Sequence, residues 1–269
     1  MSNAQHMMQP TTLVAQLSGE QLKVVDLSNA ENYASQHVPG AQHLDYKRII
    51  RVAKPAMGLV PEKTQLESVL SSIGVTPTQH VVAYDDEGGA KAARLLWTLA
   101  SLGHENWSLL NGGMHTWRNE HFPMVSDRPP LAPSHYQASL SEDCTADEQY
   151  ILDNLDNPKV VLLDARSLQE YQGVKKYARR GGHIPGAVHF DWINALNVAE
   201  NLKIRPVDEL KSKLASMGVV PEKEVIVYCQ AHHRSSHVFV LLKHLGFPNV
   251  KGYPGSWSEW GNHTDTPIA

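Results

Sequence analysis

The chain has 269 residues, a length that suits two domains of about 100–150 residues better than one. Hydrophobic residues make up 42% and charged residues 19%, which excludes a disordered chain, and 18 glycines and 16 prolines without a short period exclude a fibrous repeat. A formal net charge of -4 excludes a globally basic nucleic-acid-binding surface, and two cysteines are too few for a disulfide scaffold.

Residues 1–10, MSNAQHMMQP, lack the basic and apolar regions of a secretory signal. Ser2-Asn3-Ala4 reads as an expression-tag remnant, and the whole segment is set outside the fold. No apolar run is long enough to span a membrane. Reduced thiols and a cytoplasmic location are the expectation.

From residue 11 onward the chain repeats itself. Val24-Val25-Asp26-Leu27, Tyr33 and His37-Val38-Pro39-Gly40-Ala41 return as Val161-Leu162-Leu163-Asp164-Ala165, Tyr171 and His183-Ile184-Pro185-Gly186-Ala187. A helix-period stretch ending at Gly74 returns ending at Gly218. The apolar runs Val81–Tyr84 and Val225–Tyr228 follow, then helices to Leu102-Gly103 and Leu245-Gly246. Both copies close with glycine and tryptophan, at Asn111–Trp117 and Pro254–Trp260. Pro123, Pro129, Pro130 and Pro133 mark residues 123–143 as a linker between domains at 11–122 and 144–269. Short buried-type strands alternate with helices, so each half is expected to be an α/β domain, a parallel sheet covered by helices on both faces. In such sheets, sites form at the carboxyl ends of the strands.

The copies differ most after the strand ending at Tyr228. There the chain reads Cys229-Gln230-Ala231-His232-His233-Arg234-Ser235, whereas the first copy reads Asp85-Asp86-Glu87-Gly88-Gly89-Ala90-Lys91. A thiol at a strand-to-helix turn meets converging backbone N–H groups, the positive end of a helix and the Arg234 guanidinium. These stabilise thiolate over thiol and form a cradle for an anion. Cys144 lies beside Glu142 and Asp143, which disfavour a thiolate. A zinc site at Cys229, His232, His233 and His237 is rejected, because adjacent histidines diverge and no second ligand cluster exists. No metal or cofactor is expected.

Together, Asp164-x-Arg166-x3-Glu170-Tyr171, His183-Ile184-Pro185-Gly186-Ala187 and Tyr228-Cys229-x4-Arg234-Ser235 resemble a tandem-domain rhodanese, over about residues 11–269. The Cys-Gln-x-His-His-Arg loop is similar to that of bacterial thiosulfate:cyanide sulfurtransferases. The resemblance implies an inactive N-terminal and a catalytic C-terminal domain. It implies sulfur transfer from thiosulfate through a Cys229 persulfide to cyanide or another thiophile. The alternatives are 3-mercaptopyruvate as donor, or a persulfide carrier serving a partner protein. Gln230, Ala231, His232, His233, Arg234, Ser235 and Arg166 are the expected substrate-binding residues; Ser28 stands at the position of Arg166 in the first copy. Some members of the family carry a second arginine where this chain has Glu170. Lys175, Lys176, Arg179 and Arg180 are candidates for replacement charge. The charged loop favours a compact dianion over the keto acid, whose transferases carry small, weakly charged loops. Four residues between Cys229 and Arg234 make a tighter cradle than the Cys-x5-Arg loop of related phosphatases. The expected partners are a small-molecule donor and an acceptor that is a small molecule or a protein, with no nucleic acid, no membrane and a monomeric chain.

Overall fold

The structure, a computed structural model, describes residues 6–269. Ser2-Asn3-Ala4 lies outside the described residues. Strands and helices are numbered here in chain order. The chain divides into two compact units, one of residues 6–50, 61–141 and 196–204, the other of residues 51–60, 142–195 and 205–269. Each unit therefore includes one hairpin from the opposite half of the sequence.

In the first unit, β1 (Met7–Met8), β2 (Leu22–Asp26), β3 (Gln42–His43), β6 (His80–Tyr84) and β7 (Trp107–Leu110) form one parallel sheet in the order β1-β7-β6-β2-β3. Setting residues 1–10 outside the fold was wrong for its end: Met7 pairs with Leu109, Met8 pairs with Leu110, and the Met7 side chain is buried. A two-residue strand carries no periodicity of its own; only its partner strand defines it. All four residues of β7 and the last four of β6 are buried, as a parallel sheet covered on both faces requires. Helix α4 (Ala90–Ser101) packs on β6 and β7. Tyr84, Leu110 and Trp117 belong to one of the buried clusters. The hairpin β10 (Leu196–Asn197) and β11 (Lys203–Ile204) belongs to this unit.

The second unit repeats the plan. Strands β8 (Val160–Asp164), β9 (Val188–His189), β12 (Glu224–Tyr228) and β13 (Val250–Gly252) lie parallel in the order β13-β12-β8-β9. Glu224 to Tyr228 face Val160 to Asp164 residue by residue, so β8 and β12 end together at the site. Helix α9 (Arg234–His244) packs on β12 and β13, and α10 (Ser256–Trp260) on β5 (Ala56–Leu59). Strand β5 pairs antiparallel with β4 (Arg51–Ala53). The core holds Tyr228, Tyr253, Trp257 and Trp260. Among the described residues, no helix is long and apolar enough to cross a membrane.

Candidate active site

Strand β12 ends at Tyr228 and α9 begins at Arg234, so Cys229 to His233 must reverse the chain between them. His232 takes a left-handed φ of 50° to do so. The turn buries Cys229 to 1% exposure. Burial opposes ionisation of the thiol, but Arg234, the Ser235 hydroxyl and the backbone N–H groups of Ser235 and Ala231 outweigh it and hold the Cys229 pKa below its ordinary range. His232 Nδ1 lies 2.8 Å from Ser235 Oγ. A hydroxyl has one proton; with that proton on the sulfur, the network assigns the Nδ1 proton to His232 as donor.

The loop is fastened from below. Ser256 Oγ accepts from the N–H of Cys229 at 3.3 Å and of His232 at 3.1 Å, and donates to the Tyr253 carbonyl at 2.7 Å. Trp257 N–H donates to the Cys229 carbonyl and Ser258 N–H to the Gln230 carbonyl, at 3.0 and 2.9 Å. Ser256 holds φ +52°, where the first copy has Gly113 at φ +51°. A side chain is strained there, and here the hydroxyl has a task that glycine cannot perform. Strand β5 closes the other side: a Cβ on Gly58 would stand 2.1 Å from the Ala231 carbonyl oxygen.

Arg234 donates to both carboxylate oxygens of Glu170, at 2.7 and 2.8 Å. Glu170 ends the first turn of α7 (Leu168–Tyr171), in a capping box with Ser167. Burial opposes its ionisation, yet Arg234 and Ser167 hold its carboxyl at about 2. At this position the chain thus carries the partner that fixes Arg234.

Arg166, expected at the substrate, has a different place. It is 1% exposed and forms an ion pair with Asp164, with Nη2 2.6 Å from Oδ2 and 2.7 Å from the Gly182 carbonyl. Its guanidinium stacks 4.4 Å over Trp257. Two residues apart at the end of a buried strand, Asp164 and Arg166 satisfy each other, so this arginine braces the floor of the site. Arg180 is also taken up, by the carbonyls of Thr266 and Trp260 at 2.8 and 2.9 Å. Lys175, Lys176 and Arg179 remain exposed. Gln230 reaches the Tyr177 carbonyl at 3.3 Å. His237, buried behind the loop, meets Trp192 edge-on at 5.4 Å, and burial pushes it down to about 4, so it is neutral.

The Cys144 thiol is pushed up by burial, and Asp143 adds to this. In the first unit the corresponding loop is not open. Asp85, fully buried, accepts from the N–H of Glu87 and Gly89 at 2.8 Å and of Ala92 at 2.9 Å. An anion cradle exists there too, filled by the chain's own carboxylate.

The family model for the rhodanese-like domain matches residues 9–120 and again 147–263. A thiosulfate sulfurtransferase of Azotobacter vinelandii is 43% identical over 260 residues, 97% of this chain and 95% of that protein. One from Pseudomonas aeruginosa is 39% identical over the same shares. The crystal structure of an anaerobic ergothioneine biosynthesis enzyme from Chlorobium limicola, bound to trimethyl histidine, superposes with a TM-score of 0.86 at 24% identity, over 98% of this chain and 70% of that one. With two matched domains and full-length relatives of this kind, the chain belongs to the rhodanese-like family, of which it carries two copies in tandem.

Proposed function

We propose that this chain is a thiosulfate sulfurtransferase in which Cys229 carries the sulfur. One observation carries the reading: a buried thiol held toward thiolate by Arg234, Ser235 and two loop amides, in one copy only. The Cys229 thiolate attacks the outer sulfur of thiosulfate. A new S–S bond forms, the old one breaks, and its electron pair leaves with sulfite. The product is the Cys229 persulfide, with no net oxidation. Its terminal sulfur then passes to cyanide, giving thiocyanate and restoring the thiolate.

Arg234 is the cation that stabilises sulfite as it leaves, more in the transition state than in the complex. Gln230, Ala231, His232, His233 and Ser235 line and shape the cradle, and we assign Arg166 to positioning rather than to substrate contact. The loop's charge supports thiosulfate over 3-mercaptopyruvate as donor. The reduced thiol this chemistry needs suits the cytoplasm.

The test is the intact mass of the protein after exposure to thiosulfate. A gain of one sulfur atom, lost on adding cyanide, is expected for wild type and for Cys144→Ser, and not for Cys229→Ser. Sulfur on Cys229→Ser would overturn the assignment. Comparing kcat/KM for the two donors tests the choice of donor: a preference for 3-mercaptopyruvate would overturn it.

A further inference from the structure

In the first unit, Asn32, Asp86, Met114, His115, Arg118 and Asn119 line a pocket of about 140 Å³. Asp86 follows the buried Asp85 at the end of β6, so the pocket lies at the carboxyl end of the sheet, where α/β folds place ligands. The last four lining residues share one face of α5 (Gly113–Asn119) by their i, i+4 spacing. The volume corresponds to about four or five waters at ~30 Å³ each, well below the ~300–1,000 Å³ of a drug-sized site. Asp86 and Arg118 carry opposite charges into this one pocket, yet among the described residues no ion pair joins them. Asp86 Oδ1 is buried and, among the described residues, accepts no hydrogen bond. Lys91 stands 3.8 Å from it but makes its closer contact, 2.7 Å, with Glu87. Asp86 Oδ2 is already used, accepting from the Asn32 side-chain amide at 2.6 Å and from the Asn29 N–H at 3.3 Å. Asn119 donates its amide to Asn201 at 2.8 Å. Asn32 and Asn119 therefore each keep a carbonyl oxygen as a further acceptor. His115 Nε2 donates to the Asp86 carbonyl at 3.0 Å, which leaves Nδ1 of the neutral ring an acceptor too. Arg118 is exposed, and Met114, buried, is the apolar part of the lining.

We propose that this pocket binds a small zwitterionic α-amino acid, with a side chain about the size of a methyl or hydroxymethyl group. The ammonium group meets Asp86 Oδ1 and the acceptor oxygens of Asn32 and Asn119. The carboxylate takes the forked N–H groups of Arg118, and the short side chain lies against Met114. A lone anion would meet the Asp86 carboxylate and a lone cation the Arg118 guanidinium, a like-charge cost that the zwitterion avoids. The site owes nothing to Cys229. In the repeat, Asn32 stands where the second copy has Glu170, and Asp86 where it has Gln230. The first copy thus keeps a pocket at the same end of its sheet, lined for a different ligand.

The experiment is calorimetry on the full chain with L-alanine, propionate and L-alaninamide as probes. L-alanine should bind saturably at one site. Propionate lacks the ammonium group and L-alaninamide the carboxylate, so each should bind about tenfold more weakly or worse, the scale of one charge-assisted hydrogen bond. Arg118→Gln and Asp86→Asn should each weaken L-alanine by a similar factor. Asp86 also holds Asn29 and Asn32, so Asp86→Asn risks loosening the loop. Arg118 is exposed, and Arg118→Gln, which should fold and transfer sulfur as wild type does, keeps the test decisive. Cys229→Ser should bind L-alanine as tightly as wild type, which separates this pocket from the second unit's cradle. No saturable binding of L-alanine, equal affinity for propionate or L-alaninamide, an affinity that Arg118→Gln leaves unmoved, or binding lost in Cys229→Ser overturns the proposal.

Discussion

Arg234→Ala does two things at once. It removes the cation that favours the Cys229 thiolate, and it strips Glu170, only 3% exposed, of the partner that meets both its oxygens. The carboxyl sits at about 2 instead of its ordinary 4.5. That difference corresponds to ~3 kcal/mol at full strength. The Arg234 side chain is 24% exposed, so solvent screening reduces the stabilisation to ~1–2 kcal/mol. Loss of the cation alone should slow persulfide formation by about 10²–10³-fold, the scale for one such donor. The uncovered carboxylate adds repulsion beside the thiolate. Glu170→Gln in the Arg234→Ala background removes that charge while the amide oxygen keeps the capping box. It should restore about tenfold of the rate, the kinetic equivalent of ~1–2 kcal/mol. Glu170→Gln alone should lower the Cys229 pKa below that of wild type. The assays are single-turnover release of sulfite and the pH dependence of thiol alkylation. A double variant no faster than Arg234→Ala, or a Cys229 pKa that rises in Glu170→Gln, would refute this account of the pair. The same pair sets an acid limit. A depressed carboxyl pKa contributes stability that is complete above 4.5 and is lost as the pH falls through about 2. Urea midpoints across that window should decline for wild type and decline less for Glu170→Gln.

Two further substitutions test how the loop is fastened. Ser256→Gly relieves the left-handed strain but leaves the buried N–H groups of Cys229 and His232 without their acceptor, so unfolding free energy should drop by ~1–2 kcal/mol and the Cys229 pKa should rise; an unchanged pKa would remove Ser256 from the site. Gly58→Ala puts a methyl 2.1 Å from the Ala231 carbonyl oxygen, so the loop must shift, at a cost of ~1–3 kcal/mol in stability and with loss of persulfide formation; wild-type kinetics would show that β5 does not shape the loop.

The duplication and the place of Cys229 at a strand-to-helix turn were legible because they are local. Strand runs, glycine stops and Cys229 between a buried strand and a helix are all patterns within a few residues. What escaped depends on partners distant in sequence. Met7–Met8 is a strand only against Leu109 and Leu110. The hairpins at 51–60 and 196–204 carry no sign of the unit they join. Arg166 read as a substrate cation because its charge was visible and its burial was not. Glu170 was open to a better reading: Ser167-x-x-Glu170 is a capping-box pattern, which fixes the carboxylate at a helix start where a cation can reach it. Ser256 was equally visible as the one non-glycine in a place where the first copy keeps Gly113.

The two loops also bear on the proposed division between a catalytic second unit and an inactive first one. Its run of acids suggests a surface that repels anions, but Asp85 is buried and accepts three backbone N–H groups. Lys91 answers Glu87 at 2.7 Å. Both strand-to-helix turns thus converge their amides on one anion, as their shared backbone plan dictates. What differs is the anion tethered at the end of the strand. A carboxylate satisfies the cradle but cannot act as the sulfur-accepting nucleophile, and being covalently attached it cannot leave to admit a substrate. A thiolate satisfies the same amides, is nucleophilic toward sulfur, and returns as the leaving group when the sulfur moves on. On the proposed function one residue, Asp85 against Cys229, would separate a self-filled cradle from a catalytic one, with Arg234 and Ser256 adapting the second cradle to an anion whose charge must come and go.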